Sequence, residues 1–532
     1  MKNFKLALLL VSGLWLTSCV YDQEIDSVKK PDPKPDTNIT TAYFNVNLAP
    51  TASVRDDIIE NGNEEENAVK NALLVFTDKD DKFIAYGELE GKISSGLNET
   101  TGTKATFKVE NAQLTNLLSG DNQDVNVFVI CNYPYYIIND LSEGEDIQQV
   151  LTYTGTNSYW SDSDGFLMSN SEYTPTTIDI QGAKNGQYSS AASAYSLGSV
   201  KVQRVVARFD IAPPSSVTQG IDKIKVTFTG ASLINISQNF YLFKEVSNVT
   251  PSSSSVDAEW TKFLVENGNY VRDPKGYEKI SEQPNYSTLF INPANSSNSQ
   301  LGGLTMKSFS TLQSEGNKDS NDVQLPSGAS QRDYYIFEYC TPNSIPDASE
   351  QNVGNTTGIV FEAELSSEDI KDMKENKSVI AYNGTIYGSK STIEGLLSDQ
   401  SEKDQKTINM LNAYKAATEG KTSDEDVLTA LKSPSASGFT VYTPDDNKKY
   451  KCYYIYWNKH RENNTSDIIP MEYGVVRNNI YKLAVTKVNS LGHPGYYKPD
   501  PTAKLKSDTS DEYFSVDVQI LPWNVKVNDI EF

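Results

Sequence analysis

Tyr513-Phe514-Ser515-Val516-Asp517-Val518-Gln519-Ile520-Leu521-Pro522-Trp523 reads as a β-strand from side-chain alternation alone. Phe514, Val516, Val518 and Ile520 alternate with Tyr513, Ser515, Asp517 and Gln519, so one face is apolar and the other polar. Pro522 interrupts the run, and a second segment follows over residues 525–532. Such a strand either zips into its own sheet or completes a neighbour's, because its backbone N–H and C=O groups need partners. The second outcome would make the chain a polymerising subunit.

The same period of two recurs along the 532 residues. Residues 43–48 place Phe44, Val46 and Leu48 on one side, and further strands are expected at 72–77, 83–89, 105–109 and 125–132. Residues 200–211 read as one strand opening a second domain, with Val205, Ala207, Phe209 and Ile211 on one face and Arg204, Arg208 and Asp210 on the other. More strands are expected at 223–229, 239–243, 288–291, 333–339, 451–457 and 479–488. With 31 Tyr and 19 Phe, this is a β-rich, extracellular type of composition. Residues 366–433 break the pattern. There, 407–417 and 424–432 have helical spacing, with Ile408, Leu411 and Tyr414 three residues apart, and Ser423 to Asp426 resembles a capping box. The expectation is an all-β chain with a small helical insertion.

Residues 1–19 read as an export signal: Lys2 and Lys5 precede an apolar run over 6–16 that is too short to span a bilayer. Its end, Leu16-Thr17-Ser18-Cys19, resembles a bacterial lipobox and makes Cys19 the expected lipidation and signal-cleavage point, so the precursor would sit on the outer membrane through lipid. Residues 20–40 carry closely spaced prolines and read as an extended tether. Arg55 is the sole Arg between Cys19 and Val69, and an acidic run, Asp56, Asp57, Glu60 and Glu64 to Glu66, follows it. That run is expected to be a mobile, accessible loop.

Charge and residue usage exclude several functions. A net charge of −23, from 70 acids against 47 bases, leaves no basic surface for nucleic acid. Of the four cysteines, Cys131, Cys340 and Cys452 lie in apolar runs and read as small buried hydrophobes, with no zinc-type spacing. The two histidines, His460 and His493, neighbour no nucleophile motif, and no glycine-rich phosphate loop is present. Ser161-Asp162-Ser163-Asp164-Gly165 reads as a polar turn rather than a calcium loop, since the later acidic ligand is missing. Nothing calls for an enzyme, a catalytic residue, a metal or a cofactor.

Several segments together resemble the fimbrillins of Bacteroidales, the subunits of type V pili, and most of all the major subunit of the short (minor) fimbriae. The resemblance is carried by Tyr453 to Trp457, Gly474-Val475-Val476-Arg477-Asn478-Asn479-Ile480-Tyr481-Lys482-Leu483, Leu491-Gly492 and the ending from Phe514 to Val527. Weaker matches occur at Phe166 to Ser169, Arg204 to Arg208 and Tyr335 to Glu338. The resemblance implies two transthyretin-like β-sandwich domains in tandem, placed here at 41–197 and 198–532 with the insertion at about 366–433. It implies a lipoprotein cut by a surface protease between Arg55 and Asp56, which releases residues 41–55 and with them the strand carrying Phe44, Val46 and Leu48. The donor strand that replaces it, Phe514, Val516, Val518 and Ile520 within 513–532, then comes from another subunit.

Four apolar side chains would contribute on the order of 6 to 12 kcal/mol to that exchange, as an upper estimate. Groove and donor are different surfaces of one molecule, so the contact is head-to-tail and gives a fibre. The implied partners are further pilin subunits, with anchor and tip subunits, and an adhesion receptor. The alternatives are a surface lipoprotein that binds glycans and a pilus anchor subunit. For Arg477 to Asn479 a turn is expected, since Asn tolerates left-handed backbone angles.

Overall fold

The computed structural model describes residues 40–506 and the strand 514–522, apart from internal segments of which the longest are 51–61, 215–222, 250–264, 275–289, 292–303 and 317–331. The fold is dominated by strands, in agreement with the all-β expectation.

The first sheet uses eight strands: β1 (Thr41–Pro50), β2 (Ala72–Thr77), β3 (Phe83–Leu89), β4 (Thr103–Glu110), β5 (Asp124–Cys131), β6 (Met168–Asn170), β7 (Thr176–Asp179) and β8 (Tyr195–Arg204). Their order is β7-β5-β2-β3-β4-β1-β8-β6, and β6 also pairs with β5, so seven of the strands close into a ring. Ring closure removes most free edges. The strands enclose one core, which includes Phe44, Phe76, Phe107, Val129 and Leu167.

The second unit is a pair of facing sheets. One joins β9 (Ala207–Ala212) to β12 (Tyr335–Cys340), β18 (Asn479–Val488) and β19 (Phe514–Pro522), in the order β12-β9-β18-β19. The other has the order β11-β10-β13-β17, built from β10 (Lys225–Ile234), β11 (Lys307–Ser308), β13 (Gly358–Ser366) and β17 (Tyr450–Trp457). Phe209, Tyr481 and Leu483 from the first meet Phe228, Phe361 and Tyr454 from the second in a common core, the arrangement of a β-sandwich.

The insertion between β13 and β17 is more than helical. Helices α3 (Lys390–Ser398), α4 (Gln405–Ala417) and α5 (Asp424–Leu431) pack on a three-stranded sheet of β14 (Val379–Tyr382), β15 (Thr385–Gly388) and β16 (Phe439–Tyr442). Each of these helices starts on a side-chain cap: Ser389, Asp404 and Ser423 accept from the backbone N–H of Thr392, Thr407 and Asp426. Its small core takes Met410, Leu411 and Tyr414 from α4. Ile408, expected on that face, is 38% exposed instead, because the packed stripe runs through 410, 411 and 414.

Residues 200–211 are likewise not one strand. The run divides at Val205–Val206: β8 stays in the first ring, and β9 opens the second sheet. Alternation continues through the break, and a period of two carries no record of which sheet each half joins.

Candidate functional site

β1 sits in the interior of the first sheet, antiparallel to β4 and parallel to β8. Its ladder to β4 runs from Thr41 opposite Glu110 to Leu48 opposite Thr103, and its ladder to β8 from Phe44 opposite Tyr195 to Pro50 opposite Val202. Alternation sets the burial. Ala42, Phe44, Val46 and Leu48 are buried, while Tyr43, Asn45, Asn47 and Ala49 are half-buried. Phe44 meets the Phe76 ring edge-on at 5.2 Å and that of Tyr195 at 6.3 Å. On the other face the Thr106 hydroxyl donates to Asn45 at 2.7 Å, and the Asn47 amide donates to Ser199 at 3.3 Å. Gly102, at φ +70°, leaves room for Asn47, because a Cβ there would lie 2.5 Å from the Asn47 amide.

The C-terminal strand occupies a different position. Among the described residues β19 pairs antiparallel with β18 alone, from Phe514 opposite Val488 to Pro522 opposite Asn479, and forms one edge of its sheet. Backbone partners therefore lie on both sides of β1 and on one side of β19. The two strands belong to separate sheets, so Phe44, Val46 and Leu48 are not brought together with Phe514, Val516, Val518 and Ile520 in one chain. Cys19, Arg55 and Asp56 lie outside the described residues.

Between these regions lies a buried ionic cluster. α1 (Glu64–Asn67) starts on a capping box, in which Asn63 accepts from the Glu66 N–H and the Glu66 carboxylate accepts from the Asn63 N–H at 2.7 Å. The Glu66 carboxylate also takes hydrogen bonds from Arg208 at 2.9 and 3.1 Å and from the Tyr339 hydroxyl at 2.7 Å. Arg208 further donates to Asp210 at 2.9 and 2.7 Å. Arg204 donates to the Glu66 carbonyl at 3.0 Å and to the Asn67 side chain. All four charged side chains are buried. Burial opposes ionisation of Glu66, but Arg208, Arg204 and the Tyr339 hydroxyl outweigh it and hold the carboxyl below its ordinary value. The Tyr339 hydroxyl is pushed up by burial and by the Glu66 charge beside it.

This cluster corrects one expectation. The end of the acidic run is not the expected mobile loop, since residues 64–67 form α1 and Glu66 is 1% exposed, while Asp56, Asp57 and Glu60 lie outside the described residues. Arg204, Arg208 and Asp210, the polar side of the 200–211 run, are buried, with Arg208 bonded to Glu66 of α1. Two arginines and two carboxylates neutralise one another, which makes such burial tolerable. In sequence, the only signal was a cluster of charges inside an otherwise apolar strand.

The remaining candidates have structural positions. Arg477 is buried and donates to the carbonyls of Leu242 and Tyr241, while Asn478, at φ +57°, makes the expected turn into β18. Cys131, Cys340 and Cys452 are buried and unpaired, and burial pushes the thiols of Cys131 and Cys452 up to about 12. His460 is buried, with Nδ1 at 2.8 Å from the Tyr481 hydroxyl. Residues 160–161 and 165–166 pair antiparallel, and Asp162 and Ser163 between them lie outside the described residues. Among the described residues no group of acids, histidines and cysteines is placed to hold a metal, and no helix is long and apolar enough to cross a membrane.

No curated protein matches the chain. Among solved structures it is similar to a candidate cell adhesion protein from Parabacteroides distasonis, at 12% identity over 92% of this chain and 98% of that one, with a TM-score of 0.38. It is also similar to a fimbrilin from Porphyromonas gingivalis, at 13% identity over 92% and 99% of the two chains, with a TM-score of 0.35. The fimbrial anchor protein Mfa2 of the same organism is similar at 14% identity over 41% of this chain and 68% of that one, with a TM-score of 0.22. Residues 448–529, which contain β17, β18 and β19, match the family described as major fimbrial subunit protein type IV, fimbrillin, C-terminal. Over that C-terminal module the chain is similar to the fimbrillins.

Proposed function

We propose that this chain is a fimbrillin, a stalk subunit of a surface pilus that polymerises by strand exchange and supports adhesion. The precursor is lipidated at Cys19, held on the outer membrane by its proline-rich tether, and cut between Arg55 and Asp56 by a surface protease. Residues 41–55, with Phe44, Val46 and Leu48, then leave the N-terminal unit. The strand carrying Phe514, Val516, Val518 and Ile520 of another subunit takes the place of β1, and the product is an extracellular fibre whose further partners are anchor and tip subunits. The observation that carries this reading is the position of β1 between β4 and β8, with its whole apolar face buried.

Loss of β1 would strand two ladders of backbone groups and uncover the apolar side chains beneath it. Phe44, Val46 and Leu48, at about 1.5 to 3 kcal/mol each, measure the vacancy at roughly 5 to 9 kcal/mol, an upper estimate. β19 gives the exchange its direction. It leaves a place with one ladder for a place with two.

Deleting residues 513–532 tests this reading, with surface monomers and no filaments as the expected result. Filaments of normal length from that variant would refute it. Arg55→Ala should leave an unprocessed lipid-anchored chain, so a mature product still starting at Asp56 would remove Arg55 from the scheme.

A further inference from the structure

Resting on the strand-exchange reading, we infer that the incoming strand seats in one register and one direction, with Tyr513 to Val518 of a second copy taking the places of Tyr43 to Leu48. The two segments are near-copies. Tyr43-Phe44-Asn45-Val46-Asn47-Leu48 stands against Tyr513-Phe514-Ser515-Val516-Asp517-Val518. Aromatic, apolar and polar positions coincide at every step, and only Leu48 to Val518 changes the size of an inward side chain. Preceding this block, Glu512 would fall at Ala42, which is buried, so the seated segment begins at Tyr513.

The walls of the slot favour that alignment. Phe514 would take the site of Phe44, whose ring lies against Phe76 at 5.2 Å and Tyr195 at 6.3 Å. A shift by two residues one way puts Phe514 at the buried Val46 site and the charged Glu512 at the Phe44 site, and a shift by two the other way puts Phe514 at the buried Ala42 site and Val516 where the Phe44 ring belongs, combining overpacking with a void. Reversing the strand about Asp517 places Ile520 at the Phe44 site and loses the ring contacts.

The outer face agrees. In the proposed register Ser515 lies opposite Thr106, which already donates to Asn45, and Asp517 lies opposite Lys104, the residue paired with Asn47. An opposite-charge pair across neighbouring strands is favourable, and the free strand lacks it. The donor therefore runs antiparallel to β4 and parallel to β8, as β1 does.

Single cysteines read the register directly, since directly opposed residues in an antiparallel pair have Cα atoms within disulfide range. Cys131, Cys340 and Cys452 are buried and should not compete. A synthetic peptide of residues 512–523 with Ser515→Cys is offered, under mild oxidation, to the processed chain carrying Thr106→Cys, Lys104→Cys, Lys108→Cys or Lys201→Cys. The expected result is a disulfide at 106, favoured over the other three by on the order of tenfold. Dominant linkage at 104 or 108 would mean a shift by two, and at 201 a reversed strand; either overturns the register while leaving strand exchange in place. No linkage at any of the four, with filaments that still require residues 513–532, also overturns the register. Filaments that persist without residues 513–532 would sink the strand-exchange reading itself.

Discussion

The two terminal strands carry nearly the same pattern and are held in opposite ways. β1 lies inside a ring with a ladder on each side, and β19 lies on an edge with a ladder on one. A sheet interior imposes register and burial from two directions, whereas an edge imposes them from one. The difference shows that strand pattern alone does not set how firmly a strand is bound. The number of walls does. A chain that polymerises by exchange needs this inequality, because a strand must prefer a neighbour's slot to its own edge.

The contrast breaks first at Phe44. Phe44→Ala in the precursor should cost about 3–5 kcal/mol, read as a drop in the denaturant midpoint, because it opens a void under Phe76 and Tyr195. Ending the chain at residue 513 removes β19, which has no place in the first sheet, so the first ring should unfold at its original midpoint; an equal loss in both variants would erase the distinction.

The second test addresses the joint that links the two regions. Glu66→Ala leaves buried Arg208 with Asp210 alone and removes the negative charge beside buried Arg204, and it should cost about 3–5 kcal/mol by chemical denaturation. A cost below about 1 kcal/mol, the range of exposed pairs, would mean that the cluster does not hold α1 in place.

The same residue fixes a pH dependence. Its carboxyl is held below the ordinary 4.5 in the folded chain, so its contribution is present above that value and is lost as the pH falls through the lower folded value. Unfolding free energy should therefore fall below about pH 4.5 less steeply in Glu66→Gln than in the parent chain. Superimposable pH profiles would contradict the assignment.

The smallest effects belong to the insertion, which serves as a reference remote from both terminal strands. Leu411→Ala should cost about 2–4 kcal/mol, Asp404→Ala about 1 kcal/mol through the lost cap of α4, and Ile408→Lys within about 0.5 kcal/mol of zero. Thermal unfolding of the three variants orders them, and a costly Ile408→Lys would place that side chain in an interface.

What the sequence by itself determined is what depends on near neighbours. Alternation at 43–48, 72–77 and 479–488 marked strands because successive side chains point to opposite faces whatever lies beyond them. Ser423 and Asp426 announced α5 because a cap is made within one turn. The similarity to fimbrillins over residues 448–529 was legible in the ending for a similar reason, since its motif is contiguous.

Only the tertiary structure decided which strands became neighbours. It divided 200–211 between two sheets at Val205–Val206, and it turned the polar side of that run into a buried cluster by bringing up Glu66 from 142 residues away. It also put β1 in an interior and β19 on an edge, although their patterns match. A period of two specifies a face but not the partner that covers it. Charge pairing and ladder formation across long stretches of chain depend on loop closure and packing, which no local pattern records.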